Sequence, residues 1–139
     1  MLDRWFSGGA RFAPVLVRLI VGVVFFLHGW PKMTHLTHHI EMVRSLGLPL
    51  APVFATASAL AEFLGGIVLI FGLYTRYAAL LIACDMAVAI MKVHLPNGFF
   101  LRGPKSGVEY ALTLFVAALS LVLSGAGPIS LDRLLGRKK

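Results

Sequence analysis

The chain has 139 residues, of which 58% are hydrophobic and 14% are charged, and its formal net charge at pH 7 is +7. Soluble domains are roughly a quarter charged, so this composition excludes an ordinary soluble domain and indicates one membrane-embedded domain covering 1–139. The basic residues lie mostly between and beyond the apolar runs, which favours anionic lipid headgroups over nucleic acid as the partner. The single cysteine, Cys84, excludes an internal disulfide, and its apolar neighbours predict a small buried side chain.

Four apolar runs each approach the ~20 residues that a helix needs to cross a bilayer. They predict an all-α fold, an integral membrane four-helix bundle with spans at approximately 14–30, 51–73, 77–95 and 108–125. Between the first two spans, apolar residues at helical spacing predict an amphipathic interfacial helix: Leu36, Ile40, Val43 and Leu46. We expect the nearby histidines to lie on its solvated face, and we predict no metal site: His35, His38 and His39.

The distribution of lysine and arginine predicts the orientation in the membrane. An even number of spans places both termini on one side. Seven basic residues lie on that side: Arg4, Arg11, Arg76, Arg133, Arg137, Lys138 and Lys139. Five lie on the other: Lys32, Arg44, Lys92, Arg102 and Lys105. Because cytoplasmic loops carry the excess of basic residues, both termini are predicted to be cytoplasmic.

Ionisable residues inside the spans are the strongest functional signal, because such residues are rare in membranes and usually face the bundle interior. Eight lie within the spans or at their ends: Arg18, His28, Lys32, Glu62, Asp85, Lys92, His94 and Glu109. Helical spacing places them on one polar stripe per helix, and we expect the four stripes to face a common interior. The fourth stripe continues through Thr113, Ser120 and Ser124. Small residues beside Glu62 predict that Arg18 or Lys92 approaches this carboxylate.

Two interpretations of this polar set stay open. The charged pairs could fix only the register and orientation of the helices. Alternatively, the set lines a pocket that binds a ligand or passes a proton, and this pocket would open toward the non-cytoplasmic side, where most of the set lies. On the second interpretation all eight residues are candidates for ligand binding. The candidates for a catalytic role in proton transfer are Glu62, Glu109 and His28.

Three stretches of the chain resemble the DoxX family of small bacterial membrane proteins: VRLIVGVVFFLHGWPKM, ALAEFLGGIVLIFGLYTRYAAL and MAVAIMKVHLPNGFF. The resemblance runs from about Val17 to Ala118. Its most specific pieces are Arg18, His28-Gly29-x-x-Lys32, Glu62-x-x-Gly65-Gly66 and Gly72-Leu73-x-Thr75-Arg76, with His94 and Glu109 as further matches. The resemblance implies a four-helix bundle in the bacterial inner membrane.

The family is functionally broad. Some members resemble the membrane subunit of a thiosulfate–quinone oxidoreductase, and others accompany redox and detoxification enzymes. The resemblance therefore implies a redox-associated component whose polar pocket binds a quinone or another lipophilic small molecule. If it is enzymatic, the chain is a subunit of a quinone-linked oxidoreductase. The alternatives are a non-catalytic scaffold, which recruits a soluble redox or detoxification enzyme through the basic tail LDRLLGRKK, and transport of a small solute. A homo-oligomer is a further hypothesis.

Overall fold

The computed structural model describes residues 8–102 and 107–136, and within these ranges the fold is all-helical. The main helices are α1 (Ala13–Thr34), α2 (Leu36–Ser45), α3 (Ala51–Phe71), α4 (Thr75–Ala89), α5 (Val108–Ser124) and α6 (Leu131–Leu134). A 3₁₀ turn, Ala10–Phe12, precedes α1. A π-helical turn, Ile90–His94, and a 3₁₀ turn, Leu95–Asn97, extend α4. The predicted spans match these helices to within a few residues, except that α1 continues through Pro31 to Thr34.

Within the part of the chain that the structure describes, three helical stretches are long and apolar enough to cross a membrane: Ala10–Thr34, Ala51–Phe71 and Thr75–Asn97. The helix α5 is apolar but shorter, with 17 residues. Large aliphatic side chains are exposed on the outer faces of these helices, among them Leu16, Ile20, Leu64, Leu80 and Leu123. Apolar surface of this extent is unusual on a soluble monomer and suits contact with lipid.

Helices α1 and α3 approach each other closely because glycines lie at the contact. A methyl group added at Gly29 would lie 2.4 Å from the backbone nitrogen of Phe63, and one added at Gly66 would lie 2.5 Å from the backbone nitrogen of Phe26. At these two positions the backbone of one helix therefore touches the other, as small residues permit in membrane helices. Helices α4 and α5 complete the apolar core with residues that include Ile82, Ala83, Ala118 and Leu121.

Replacing Gly29 with alanine is expected to lower the free energy of unfolding by about 3 kcal/mol, because the new methyl group meets backbone that cannot rotate away. Unfolding of the purified protein in mixed micelles with increasing dodecyl sulfate measures this loss. Gly65→Ala is the matched control. Its methyl group would meet only the Ile82 side chain, at 3.1 Å, and should cost less than about 1 kcal/mol. Equal losses for the two variants would contradict the close contact between α1 and α3.

The polar stripe predicted on the fourth span faces outward, so the expectation that all four stripes meet in the interior is wrong for α5. Thr113, Ser120 and Ser124 are exposed. Each hydroxyl donates a hydrogen bond to a carbonyl of its own helix, at 2.8 Å to Glu109, 2.7 Å to Ala117 and 2.7 Å to Ser120 respectively. Because these hydroxyls are satisfied within the helix, they need no polar interior.

Candidate functional site

A cavity of about 550 Å³ lies at the end of the helices where α1 and α4 finish. Its lining is mainly apolar and includes Phe25 and Leu114, with residues from α1 to α5 and the π-helical turn. Six of the eight ionisable residues singled out in the sequence line it: His28, Lys32, Glu62, Asp85, Lys92 and His94. The fold therefore brings together most of the predicted set, from four different segments of the chain.

An ion pair between Lys32 and Glu62 lies on the cavity wall. The Lys32 Nζ is 2.8 Å from Glu62 Oε2, and the side chains are 26% and 3% exposed. Asp85 approaches the Glu62 carboxyl group from α4. The partner of Glu62 is thus Lys32 and not the predicted Arg18 or Lys92. The close contact at Gly29 explains this, because it places α1 against the backbone of Phe63, and Lys32 follows one turn later on the same face.

His28 lines the cavity, and its two ring nitrogens have different roles. His28 Nδ1 lies 2.8 Å from the carbonyl oxygen of Val24. Because a carbonyl can only accept, Nδ1 carries the proton, and in a neutral ring Nε2 is left as an acceptor. The His28 ring also lies 6.4 Å from that of Tyr110, another lining residue.

His39 corrects the prediction of a solvated histidine face on α2. This side chain is 6% exposed and lines the cavity, whereas His35 and His38 are exposed as predicted. Its burial follows from α2 packing on α3, where Val43 meets Ala51 and Ala55. Burial, followed by the charge of Lys32, lowers the pKa of His39, so the neutral imidazole is favoured here. The spacing of four residues between His39 and Val43 is the sequence signal that indicates this burial.

Lys92 and His94 lie in the π-helical turn Ile90–His94, and both side chains line the cavity. Turns of this kind inside helices often occur at functional sites. Lys92 is exposed and His94 is half-buried, so the two lie toward the open part of the cavity.

Arg18 does not line the cavity. It lies fourteen residues before Lys32 on α1, about 21 Å away along the helix, and it is 3% exposed. Its guanidinium donates to the carbonyls of Leu69 and Ala126 at 2.9 Å and 3.0 Å, and to those of Ile70 and Ile129. Arg18 therefore holds the C-terminal end of α3 and the segment after α5 against α1.

Glu109 also lies outside the cavity lining. Its Oε1 accepts a hydrogen bond of 2.7 Å from the backbone N–H of Leu101. The backbone N–H groups of Val108 and Glu109 donate to the carbonyls of Gly98 and Phe99, at 3.0 Å each. Glu109 thus fastens the preceding loop to the first turn of α5.

Cys84 also differs from its prediction. The buried side chains of α4 include Ile82, Ala83 and Met86, whereas Cys84 is exposed and lines the cavity. The apolar character of this helix reflects lipid contact on its outer face as well as burial on its inner one. Hydrophobicity alone therefore could not indicate which of its small residues lie in the core.

A sequence model of the DoxX family matches residues 13–95, which include α1 to α4 and the cavity residues from His28 to His94. The chain belongs to the DoxX family. Its relatives include "Putative oxidoreductase CatD" of Bacillus subtilis, which is 31% identical over 118 residues, covering 85% of this chain and 83% of that protein. "Inner membrane protein YphA" of Escherichia coli is 30% identical over 139 residues, covering 94% and 96%. An uncharacterised protein of Haemophilus influenzae is 35% identical, covering 88% and 90%.

No solved structure matches the chain. The family membership and the apolar helices together identify a DoxX-family membrane protein that contacts the lipid bilayer. The range matched by the family model contains the Lys32–Glu62 pair and Asp85, and ends just after the π-helical turn.

Proposed function

We propose that this DoxX-family protein is a multi-pass inner-membrane component of a redox system, and that its cavity binds a quinone or a similar lipophilic carbonyl compound. The observation that carries the proposal is the mainly apolar cavity of about 550 Å³ with the Lys32–Glu62 pair on its wall. Apolar pockets of this size with a few fixed polar groups suit a lipophilic ligand with a polar head. The name of CatD as an oxidoreductase and that of YphA as an inner membrane protein agree with this assignment.

The proposed topology is a four-helix bundle with cytoplasmic termini and α2 in the non-cytoplasmic interface. With 17 residues, α5 is about 26 Å long, which approaches the ~30 Å hydrocarbon core. The cavity then opens at the non-cytoplasmic end. The alternative role as a scaffold depends on a basic tail of which 137–139 lie outside the described residues.

Each polar group has a defined use in this proposal. The carbonyl oxygens of a quinone accept hydrogen bonds, and the Lys32 ammonium is a donor on the cavity wall. His94 is a further candidate donor to a quinone carbonyl, whereas the acceptor Nε2 of His28 suits the hydroxyl group of the quinol, and Glu62 or Asp85 can exchange a proton with the bound ring. Reduction to a quinol takes two electrons and two protons, and the electrons would come from a separate redox partner. Arg18 and Glu109 support the fold, from their contacts with backbone groups.

The single cysteine of the chain provides a direct test, because Cys84 lines the cavity. We expect a fully substituted benzoquinone with a decyl chain, which has no free ring position for a thiol, to slow the reaction of Cys84 with N-ethylmaleimide several-fold and in a saturable way. The measurement uses purified protein in lipid nanodiscs. The double variant Lys32→Met with Glu62→Gln should lose this protection, because the charged pair is removed without leaving either group unpaired.

Arg44→Met serves as the control, because Arg44 is exposed and lies outside the cavity lining. This variant should keep the full protection. The labelling rate without quinone should be the same in all three proteins, which reports an intact cavity. If the quinone slows labelling of neither the wild-type protein nor the control, the quinone assignment is wrong.

A further inference from the structure

A second cavity, of about 840 Å³, lies at the opposite end of the molecule. It is formed by the 3₁₀ turn before α1, by Tyr74 and the first residues of α4, and by the chain after α5. Three arginines line it: Arg11, Arg76 and Arg133. Among the described lining residues the acidic side chain is Asp132 alone, so positive charge is in excess.

The Asp132 carboxylate already accepts hydrogen bonds from backbone groups. Its Oδ1 and Oδ2 accept hydrogen bonds of 2.7 Å and 3.0 Å from the backbone N–H groups of Tyr74 and Thr75, at the first turn of α4. A carboxylate in this position also compensates the positive end of the helix dipole. Within residues 8–102 and 107–136 the ion pair is Lys32–Glu62 alone, so Arg11, Arg76 and Arg133 have no carboxylate partner there.

The arginines also keep free donors. Arg76 donates one hydrogen bond, from Nη1 to the Val122 carbonyl at 2.8 Å, and Arg133 Nη1 lies 3.5 Å from the Pro128 carbonyl. Arg11 lies over the Phe12 ring at 5.0 Å. Because a guanidinium has five N–H donors in a planar fork, each of these side chains can still bind two oxygens of a phosphate group.

The position of the cavity indicates where such a phosphate comes from. Helix α1 begins at Ala13 and α4 at Thr75, while α3 ends at Phe71 and α5 at Ser124, so the cavity lies where the apolar helices end. Two lining tyrosines, Tyr74 and Tyr77, are 49% and 70% exposed, and their rings are 6.2 Å apart. Tyrosines concentrate at the level of the lipid headgroups. The anion that this depth offers is therefore a phospholipid headgroup.

We propose that this cavity binds the phosphate group of an anionic phospholipid, with Arg11, Arg76 and Arg133 as its ligands. The site is separate from the proposed quinone cavity and does not depend on it. Its position on the predicted cytoplasmic side would fix that end of the protein to the anionic leaflet.

Binding of dioctanoyl phosphatidylglycerol to the protein in non-ionic detergent, followed by native mass spectrometry, tests the proposal. We expect the wild-type protein to bind this lipid at least about tenfold more tightly than dioctanoyl phosphatidylcholine, because the latter has no net charge. Arg11→Gln with Arg133→Gln should weaken binding about 25-fold, since a basic residue near anionic lipid contributes about fivefold. Arg11→Gln alone, which removes no hydrogen bond within the described residues, should weaken it about fivefold.

Arg44→Gln is the matched control, because it removes an exposed arginine from α2, away from this cavity, and should leave affinity unchanged. An unchanged Cys84 labelling rate in each variant shows that the fold is kept. The proposal is overturned if the double variant binds phosphatidylglycerol as tightly as the wild-type protein, or if both lipids bind equally well. If inorganic phosphate binds as tightly as phosphatidylglycerol, the cavity takes a soluble anion and the assignment to lipid is wrong.

Discussion

Replacing Arg18 with methionine is expected to lower the free energy of unfolding by about 4 kcal/mol or more, the largest effect expected of a single substitution in this chain. The side chain is 3% exposed and donates to four backbone carbonyls, two at the end of α3 and two in the chain after α5. A hydrogen bond from a charged donor contributes about 1.5–3 kcal/mol, and methionine would leave all four carbonyls without this donor. Unfolding in mixed micelles measures the loss.

Arg18→Lys separates geometry from charge. Lysine keeps the positive charge near Asp132 but has a single ammonium, which cannot reach carbonyls on both α3 and the chain after α5. We expect it to recover about half of the loss. Arg44→Met, at an exposed arginine, should stay within about 0.5 kcal/mol of the wild-type protein. If Arg18→Met were as stable as Arg44→Met, the backbone contacts of Arg18 would carry no stability.

Arg18 also shows where reasoning from the sequence succeeds and where it stops. Helical spacing correctly placed Arg18 on a stripe of α1 that faces the interior, because burial of a face follows directly from periodicity. Periodicity could not indicate that the chain after α5 folds back to supply the carbonyls of Ala126 and Ile129. A buried arginine in a membrane helix suggested an acidic partner, but backbone carbonyls satisfy it instead.

The candidate cavity was predicted more completely than the contacts within it. Six residues predicted for the pocket line the cavity, because the polar stripes of α1, α3 and α4 do converge. The pairing of Glu62 with Lys32 depends on the depth at which Gly29 meets Phe63, and this depth is not visible in either helix alone. His39 was missed because the interfacial prediction for α2 assumed water on its polar face, whereas this residue packs into the cavity.

The second large effect on the free energy of unfolding is expected for substitutions in the Lys32–Glu62 pair. Lys32→Met should cost about 3 kcal/mol, because it leaves the buried Glu62 carboxylate without its cation and next to Asp85. Glu62→Gln should cost only about 1–2 kcal/mol, because the Lys32 side chain is 26% exposed and its ammonium can turn toward water. The order of these two losses follows from the unequal burial of the partners.

A double-mutant cycle isolates the pair itself. The combination of Lys32→Met with Glu62→Gln should cost less than the two single losses added together, with a coupling energy of about 2 kcal/mol. Asp85→Asn should restore part of the stability lost in Lys32→Met, because it removes the carboxylate that faces Glu62. Lys92→Met is the control, since Lys92 lines the same cavity but is exposed, and it should change stability by less than about 0.5 kcal/mol. If the two single losses of stability were additive, the ion pair would be contradicted. If Asp85→Asn restored no stability to Lys32→Met, Asp85 would not interact with the Glu62 carboxylate.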